Sequence, residues 1–222
     1  WSSDVCSSDL MKSMPVWHEG EETLNSLTHG IGIIFSIIGL HYLIQSGKKS
    51  NSKDKLLGNI VFGISMLVLY TVSTIYHGLD NMKYKKVMRY VDHCSVYLLI
   101  AGSYTPFTLT TLKGRGGRVI FLCVWCIAIA GIISKIFFFD AVEKYTALFY
   151  VILGWFVTVG FKPLFQRMHK KGLLWLFAGG VSYTVGAFFF QKGRTIQYCH
   201  AIFHLFILGG SVCHYICIKY YT

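Results

Sequence analysis

Two histidines, His200 and His204, stand four residues apart in the apolar run Cys199-His200-Ala201-Ile202-Phe203-His204-Leu205. Spacing i, i+4 turns both imidazoles to one face of a helix. A helix offers two nitrogens to one metal ion in this way. Ionisable side chains inside an apolar span are costly and mark functional sites by default. A third imidazole, His77, closes another apolar run, with Ser73 one turn before it on the same face, and Asp92 opens a third run. Three imidazoles plus a water make a typical catalytic zinc site with one open position. Iron and manganese accept the same ligand type; zinc is favoured because it suits imidazole and needs no redox partner. In this reading Asp92 deprotonates or positions the water, or orients an imidazole, and Ser73 hydrogen-bonds beside it. The plainer alternatives are that Asp92 caps its helix or sits in its first turn, that Ser73 bonds back to its own helix, and that each histidine is satisfied by a neighbouring helix.

The elements that must position these residues are membrane spans. The chain has 222 residues, 54% hydrophobic and 14% charged, against about 25% charged in an average soluble domain. Its mean hydropathy is +0.51. A helix needs about 20 mostly apolar residues to cross a bilayer. Residues 24–45, 56–76, 91–112, 119–139, 145–165, 173–190 and 199–221 meet or approach that length. The expected fold is therefore all-α, a polytopic seven-helix bundle over 22–222, with Pro106 kinking the third span. Residues 1–21 are expected to form a disordered segment, of which 1–10 read as non-native because they carry neither a basic nor an apolar signal region. Short connections make sequential helices neighbours. Alternating topology then brings the starts of odd spans and the ends of even ones to one membrane face. That layer collects Glu22, Asn25 and His29 from the first span, Ser73 and His77 from the second, Asp92 from the third, and His200 and His204 from the seventh. Glu22, Asn25 and His29 share a face and support the site, or form a capping network. His214 lies about 15 Å along the axis from His204, too far for the same ion, and is expected to be structural. His93 is left without a role.

The net charge of +11 sits in connections beside the spans, where anionic lipid headgroups are the natural partner; no nucleic-acid motif is present. The face opposite the polar layer carries more Lys and Arg, which leans toward an outside N-terminus. The seven cysteines lie mostly in apolar runs, so a disulfide framework is not expected, and Cys123-Val-Trp-Cys126 reads as packing.

Taken in order, Glu22-x-x-Asn25-x-x-x-His29-Gly30, Ser73-x-x-x-His77, Asp92 in VDHCSVYLLIAGSYTPF, and His200-x-x-x-His204 resemble the motifs of the haemolysin III family, within the wider progestin and adiponectin Q receptor group. The resemblance runs from Glu22 to Tyr215. It implies a seven-helix bundle in the cell membrane, zinc on His77, His200 and His204 with Asp92 near the metal-bound water, and kinship with membrane hydrolases of amide-linked lipids such as ceramide. In the receptor branch it implies an inside N-terminus, opposite to the charge count. The short form resembles bacterial members, and adiponectin binding is not carried over.

Three functions compete. The first is a zinc-dependent intramembrane hydrolase of a lipid amide or ester. The second is a cytolytic, pore-forming or membrane-homeostasis protein in which zinc is a structural clamp. The third is a receptor or sensor. The polar residues gather at one depth instead of forming a stripe through the bilayer, which favours the first.

Overall fold

The computed structural model describes residues 20–193 and 195–222. The N-terminal segment expected to be disordered lies outside the described residues except for Gly20 and Glu21. The described chain runs α1 (Glu21–Lys49), α2 (Lys53–Gly78), α3 (Met82–Leu109), α4 (Arg115–Phe137), the short α5 (Phe139–Glu143), α6 (Thr146–Gly154), a 3-10 segment (Trp155–Gly160), α7 (Phe161–Arg167), α8 (Lys170–Lys192) and α9 (Cys199–Tyr221). No strand occurs among the described residues.

Helix ends follow local chemistry. Glu21 and Glu22 in the first turn of α1, and Lys48 and Lys49 in its last, complement the helix dipole. Ser52 caps α2 by accepting the Lys55 amide at 3.3 Å, and Asn81 caps α3 by accepting the amides of Lys83 and Tyr84.

Among the described residues, six helical segments are long and apolar enough to cross a membrane: α1, α2, α4, Thr146–Arg167, α8 and α9. The third expected span, 91–112, falls on the helix α3, which begins earlier, at Met82, and is too polar to count among the six. At about 1.5 Å per residue its 28 residues would reach about 42 Å. The polarity has a structural reason. Fourteen of those residues are buried, Lys85, Arg89, His93, Ser95, Ser103, Thr105 and Thr108 among them, so much of its polarity faces protein. Apolar side chains of the outer helices, such as Leu27, Ile31 and Ile34 on α1 and Leu122 and Ile133 on α4, point outward, as a bilayer requires.

The fifth expected span is not one α-helix. Its middle is the 3-10 segment, and the cause is Tyr104 of α3. The Tyr104 hydroxyl accepts the Val157 amide at 2.7 Å and faces the carbonyls of Leu153 at 3.0 Å and Gly154 at 2.6 Å. An oxygen inserted between Val157 N–H and Leu153 C=O interrupts the i→i−4 ladder.

Small residues set the helix spacing, as van der Waals contact in lipid favours. A Cβ on Gly32 would lie 2.5 Å from the Tyr70 ring, and one on Gly58 would lie 2.7 Å from Cα of Pro106. α9 packs between α8 and α1 and closes the bundle. That closure brings the first and last described helices side by side.

Gly58→Ala should destabilise the protein by about 1–3 kcal/mol, because the atom it meets is backbone and cannot swing aside. Gly116→Ala, with nothing within 4 Å, is the control. Thermal melting in detergent checks this; equal melting temperatures for the two variants would contradict the packing account.

Candidate metal centre

The site forms where α1, α2, α3 and α9 meet. Tyr198, in the left-handed region at φ 60°, begins α9, and its amide donates to Glu21 Oε1 at 2.9 Å. Glu21 is buried at the first turn of α1 and so anchors the start of α9, the turn that carries His200. Gly193 lets the preceding turn lie close: a Cβ there would stand 3.1 Å from that of His200.

His77, His200 and His204 are all buried, and one candidate ligand nitrogen from each lies within 4.8 Å of the others. Ring centroids are 5.1 Å apart for His77 and His200, 5.0 Å for His77 and His204, and 4.6 Å for His200 and His204. Tetrahedral bonds of about 2.0–2.1 Å separate ligand nitrogens by about 3.4 Å, so the triad is gathered but slightly wide of a bound geometry.

The groups behind the rings fix which nitrogen faces inward. His77 Nδ1 lies 2.5 Å from Glu22 Oε2. A carboxylate accepts only, so Nδ1 carries the proton and Nε2 the lone pair. Glu22 is held in turn by Lys85, with Nζ 2.5 Å from Oε1, and Lys85 also donates to the Leu79 carbonyl at 3.0 Å. His204 Nδ1 lies 3.2 Å from the Asn25 carbonyl and 3.1 Å from Thr28 Oγ1, which likewise leaves Nε2 for a ligand. His29 stacks on His204 at 3.5 Å, nearly parallel at 18°. Carboxylate–histidine and carbonyl–histidine pairs of this kind orient metal ligands and raise their basicity.

Ser73 is buried one turn before His77, close to the Asp92 carboxylate. Asp92 is half-buried. Three residues before it, Arg89 pairs with Glu143, which fastens α5 to α3. Ser73, Asp92, His29 and His204 all line one cavity of about 110 Å³. The structure thus gathers all eight residues singled out from the sequence into one neighbourhood. Asn25 contributes through its backbone. Its side-chain amide and both ring nitrogens of His29 are buried without a partner among the described residues, and such groups are costly unless a ligand or water completes them. Three imidazoles converging, two with Nδ1 turned away onto acceptors, beside orphaned polar atoms, is a donor set that fits a divalent metal ion.

Thr28, Lys85 and Glu21 were not legible as parts of the site. Thr28 sits between the motif positions Asn25 and His29. Lys85 reads as one of a run of loop cations, and Glu21 falls in the segment expected to precede the fold.

The fold and site define an all-α membrane protein with a buried three-histidine cluster that could hold a metal ion. The profile of haemolysin-III-related proteins matches residues 17–215, and the chain belongs to that family. It is 43% identical to Hemolysin-3 of Bacillus cereus over 202 residues, covering 91% of this chain and 92% of the relative. It is 39% identical to a Hemolysin-3 homolog of Bacillus subtilis (strain 168), covering 90% and 94%. A more distant relative is the human Monocyte to macrophage differentiation factor, 29% identical over 90% of this chain and 84% of its own length.

Glu22→Gln removes the carboxylate behind His77 and should weaken metal binding by about 10–100-fold, as read by competition with a chromogenic chelator. An unchanged affinity would show that Glu22 has only a packing role.

Proposed function

We propose that this protein is a zinc-dependent intramembrane hydrolase acting on an amide or ester bond of a lipid. The observation that carries this reading is the continuity of the candidate metal centre with the cavity. The cavity begins at Ser73, Asp92 and His204 and extends along apolar walls to Tyr104, Trp155 and Ile207, so a chain lying in it would present its polar linkage to the histidines. His77, His200 and His204 would hold the ion. Zinc is preferred for its match to imidazole. Bound there, it would polarise the scissile carbonyl and lower the pKa of a coordinated water to about 7.

The chain's own groups do the rest. Asp92 takes the proton as a water oxygen bonds to the carbonyl carbon. The same carboxylic acid returns that proton to the departing nitrogen or oxygen as the old bond breaks, so that one water yields a carboxylic acid and an amine or alcohol. Ser73 holds Asp92 toward the cavity. The apolar wall excludes bulk water and seats the chain. In this reading α3 also crosses the bilayer, which gives seven spans, and membrane lipid is the substrate source.

The competing readings put zinc in a structural or sensory role, and the name Hemolysin-3 of the Bacillus cereus relative points to lysis. The single-depth polar cluster and its adjoining apolar cavity support the hydrolase over a pore.

Asp92→Asn should lower turnover of a fluorogenic N-acyl or acyl-ester lipid in micelles by about 10²–10⁴-fold while metal content stays at the wild-type value. Unchanged turnover with metal retained would overturn the hydrolase reading.

A further inference from the structure

The two ends of the bundle carry charge very differently. At the end away from the histidines, Lys48 and Lys49 close α1, Lys53 and Lys55 open α2, and Lys113, Arg115 and Arg118 flank the start of α4. Lys162 and Arg167 lie on α7, Lys170 and Lys171 open α8, and Lys219 stands in the last turn of α9. Contacts gather these helix ends into one surface. Lys113 pairs with Asp54 at 2.6 Å, Arg167 donates to the Lys113 carbonyl at 3.3 Å, Ser46 donates to the Lys219 carbonyl at 3.4 Å, and His169 stacks on Tyr221. Apart from the half-buried Lys55 and Lys219, each of these cations is exposed. Among the described residues Asp54 is the single acid on this end.

The end that holds the candidate metal centre has no such surplus. Its acids are Glu21, Glu22, Asp80, Asp92, Asp140 and Glu143. Several of its cations are absorbed by the fold. Lys85 pairs with Glu22, Arg89 pairs with Glu143, and Lys135 is fully buried against Thr146 and the Phe139 ring. Lys83, Lys86, Lys144 and Lys192 stay at least partly exposed, with the exposed carboxylates of Asp80 and Asp140 on the same end. Folding thus leaves positive charge available at one end and uses it internally at the other.

Lys and Arg held at a membrane surface are attracted to anionic headgroups, and the cytoplasmic leaflet carries the negative surface potential. An excess of Lys and Arg in short connections acts in the same direction. Aromatic side chains mark headgroup depth on the basic end: the Lys219 amine stands over the rings of Tyr42 at 4.6 Å and Tyr220 at 5.0 Å. Lys53 and His77 stand near opposite ends of α2, about 36 Å apart along the axis. A hydrocarbon core is about 30 Å thick, so a basic end docked on one leaflet leaves the histidines at the other.

We propose that the basic end is a docking surface for the anionic headgroups of the cytoplasmic leaflet, which sets the candidate metal centre at the external leaflet. The docking rests on charge and not on metal or hydrolysis. Joined to the hydrolase reading, on which this last step rests, it names the source of the substrate: a lipid of the external leaflet.

Two measurements on the full chain test this. The first is labelling by a membrane-impermeant maleimide in spheroplasts, in a Cys6→Ser background, with Gly116→Cys reporting the basic end and Gln191→Cys the site end; both positions are exposed. Gln191→Cys should label in intact spheroplasts, and Gly116→Cys only after permeabilisation. Labelling of Gly116→Cys before permeabilisation, or failure of Gln191→Cys to label, would overturn the orientation. The second is thermal melting of the detergent-purified protein with added lipid. Phosphatidylglycerol should raise the melting temperature more than phosphatidylcholine does, and about 1 M salt, with a Debye length of about 3 Å, should erase the difference. Lys113→Gln/Arg115→Gln/Arg118→Gln should lose much of the preference, while Lys83→Gln/Lys86→Gln/Lys144→Gln should keep it. Equal shifts with the two lipids, or a preference untouched by the substitutions at the basic end, would overturn the docking surface. Asp92→Asn should change neither readout, so failure of the hydrolase reading and failure of this one are distinguishable.

Discussion

Buried polar groups in an apolar bundle have to satisfy one another, and this constraint organises the structure around α1. Its inward face carries Glu21, Glu22, Asn25, Thr28 and His29 in little more than two turns. Most of these groups are shielded from water, and Glu21, Glu22, Thr28 and the Asn25 carbonyl find their partners on other helices. Glu21 takes the Tyr198 amide at the start of α9. Glu22 takes His77 at the end of α2 and Lys85 on α3. Thr28 and the Asn25 carbonyl take His204. The same contacts that position the histidines also join α1, α2, α3 and α9. Removing one partner would leave a buried charge or donor exposed to hydrocarbon, so fold and site are coupled.

Packing supplies what polar pairing does not. Glycines at Gly32, Gly58 and Gly63 bring α1, α2 and α3 close, and α3 can be polar because its neighbours cover it. The cavity follows from the interruption of the fifth span. Tyr104 enters the backbone ladder there, and Gly154, Trp155 and Val157 of the irregular stretch become part of the cavity wall. One tyrosine hydroxyl thus links helix geometry to the shape of the space beside the histidines.

The motif residues were legible because ionisable groups in apolar runs stand out, and because alternating topology alone sends His77, His200 and His204 to one face. The spans were legible from hydropathy, with α3 as the instructive exception. Its start was not evident, because the helix begins at Met82 inside what reads as a basic connection, and composition cannot tell a polar residue facing a neighbouring helix from one facing lipid. The 3-10 break at Trp155–Gly160 was hidden because its cause, Tyr104, is some 50 residues away in sequence. Thr28 and Lys85 were hidden for a related reason: a threonine beside a motif and a lysine in a basic run carry no local mark, and only the crossing of helices gives them partners.

The central claim is that three imidazoles on two helices hold one metal ion. Its most direct test is elemental mass spectrometry of the detergent-purified protein, prepared without chelator, beside the His200→Ala/His204→Ala variant. The account predicts about one zinc per chain, lost in the variant while both proteins remain helical by circular dichroism. Absence of any metal from the folded wild-type protein, or the same metal content in the variant, would contradict it.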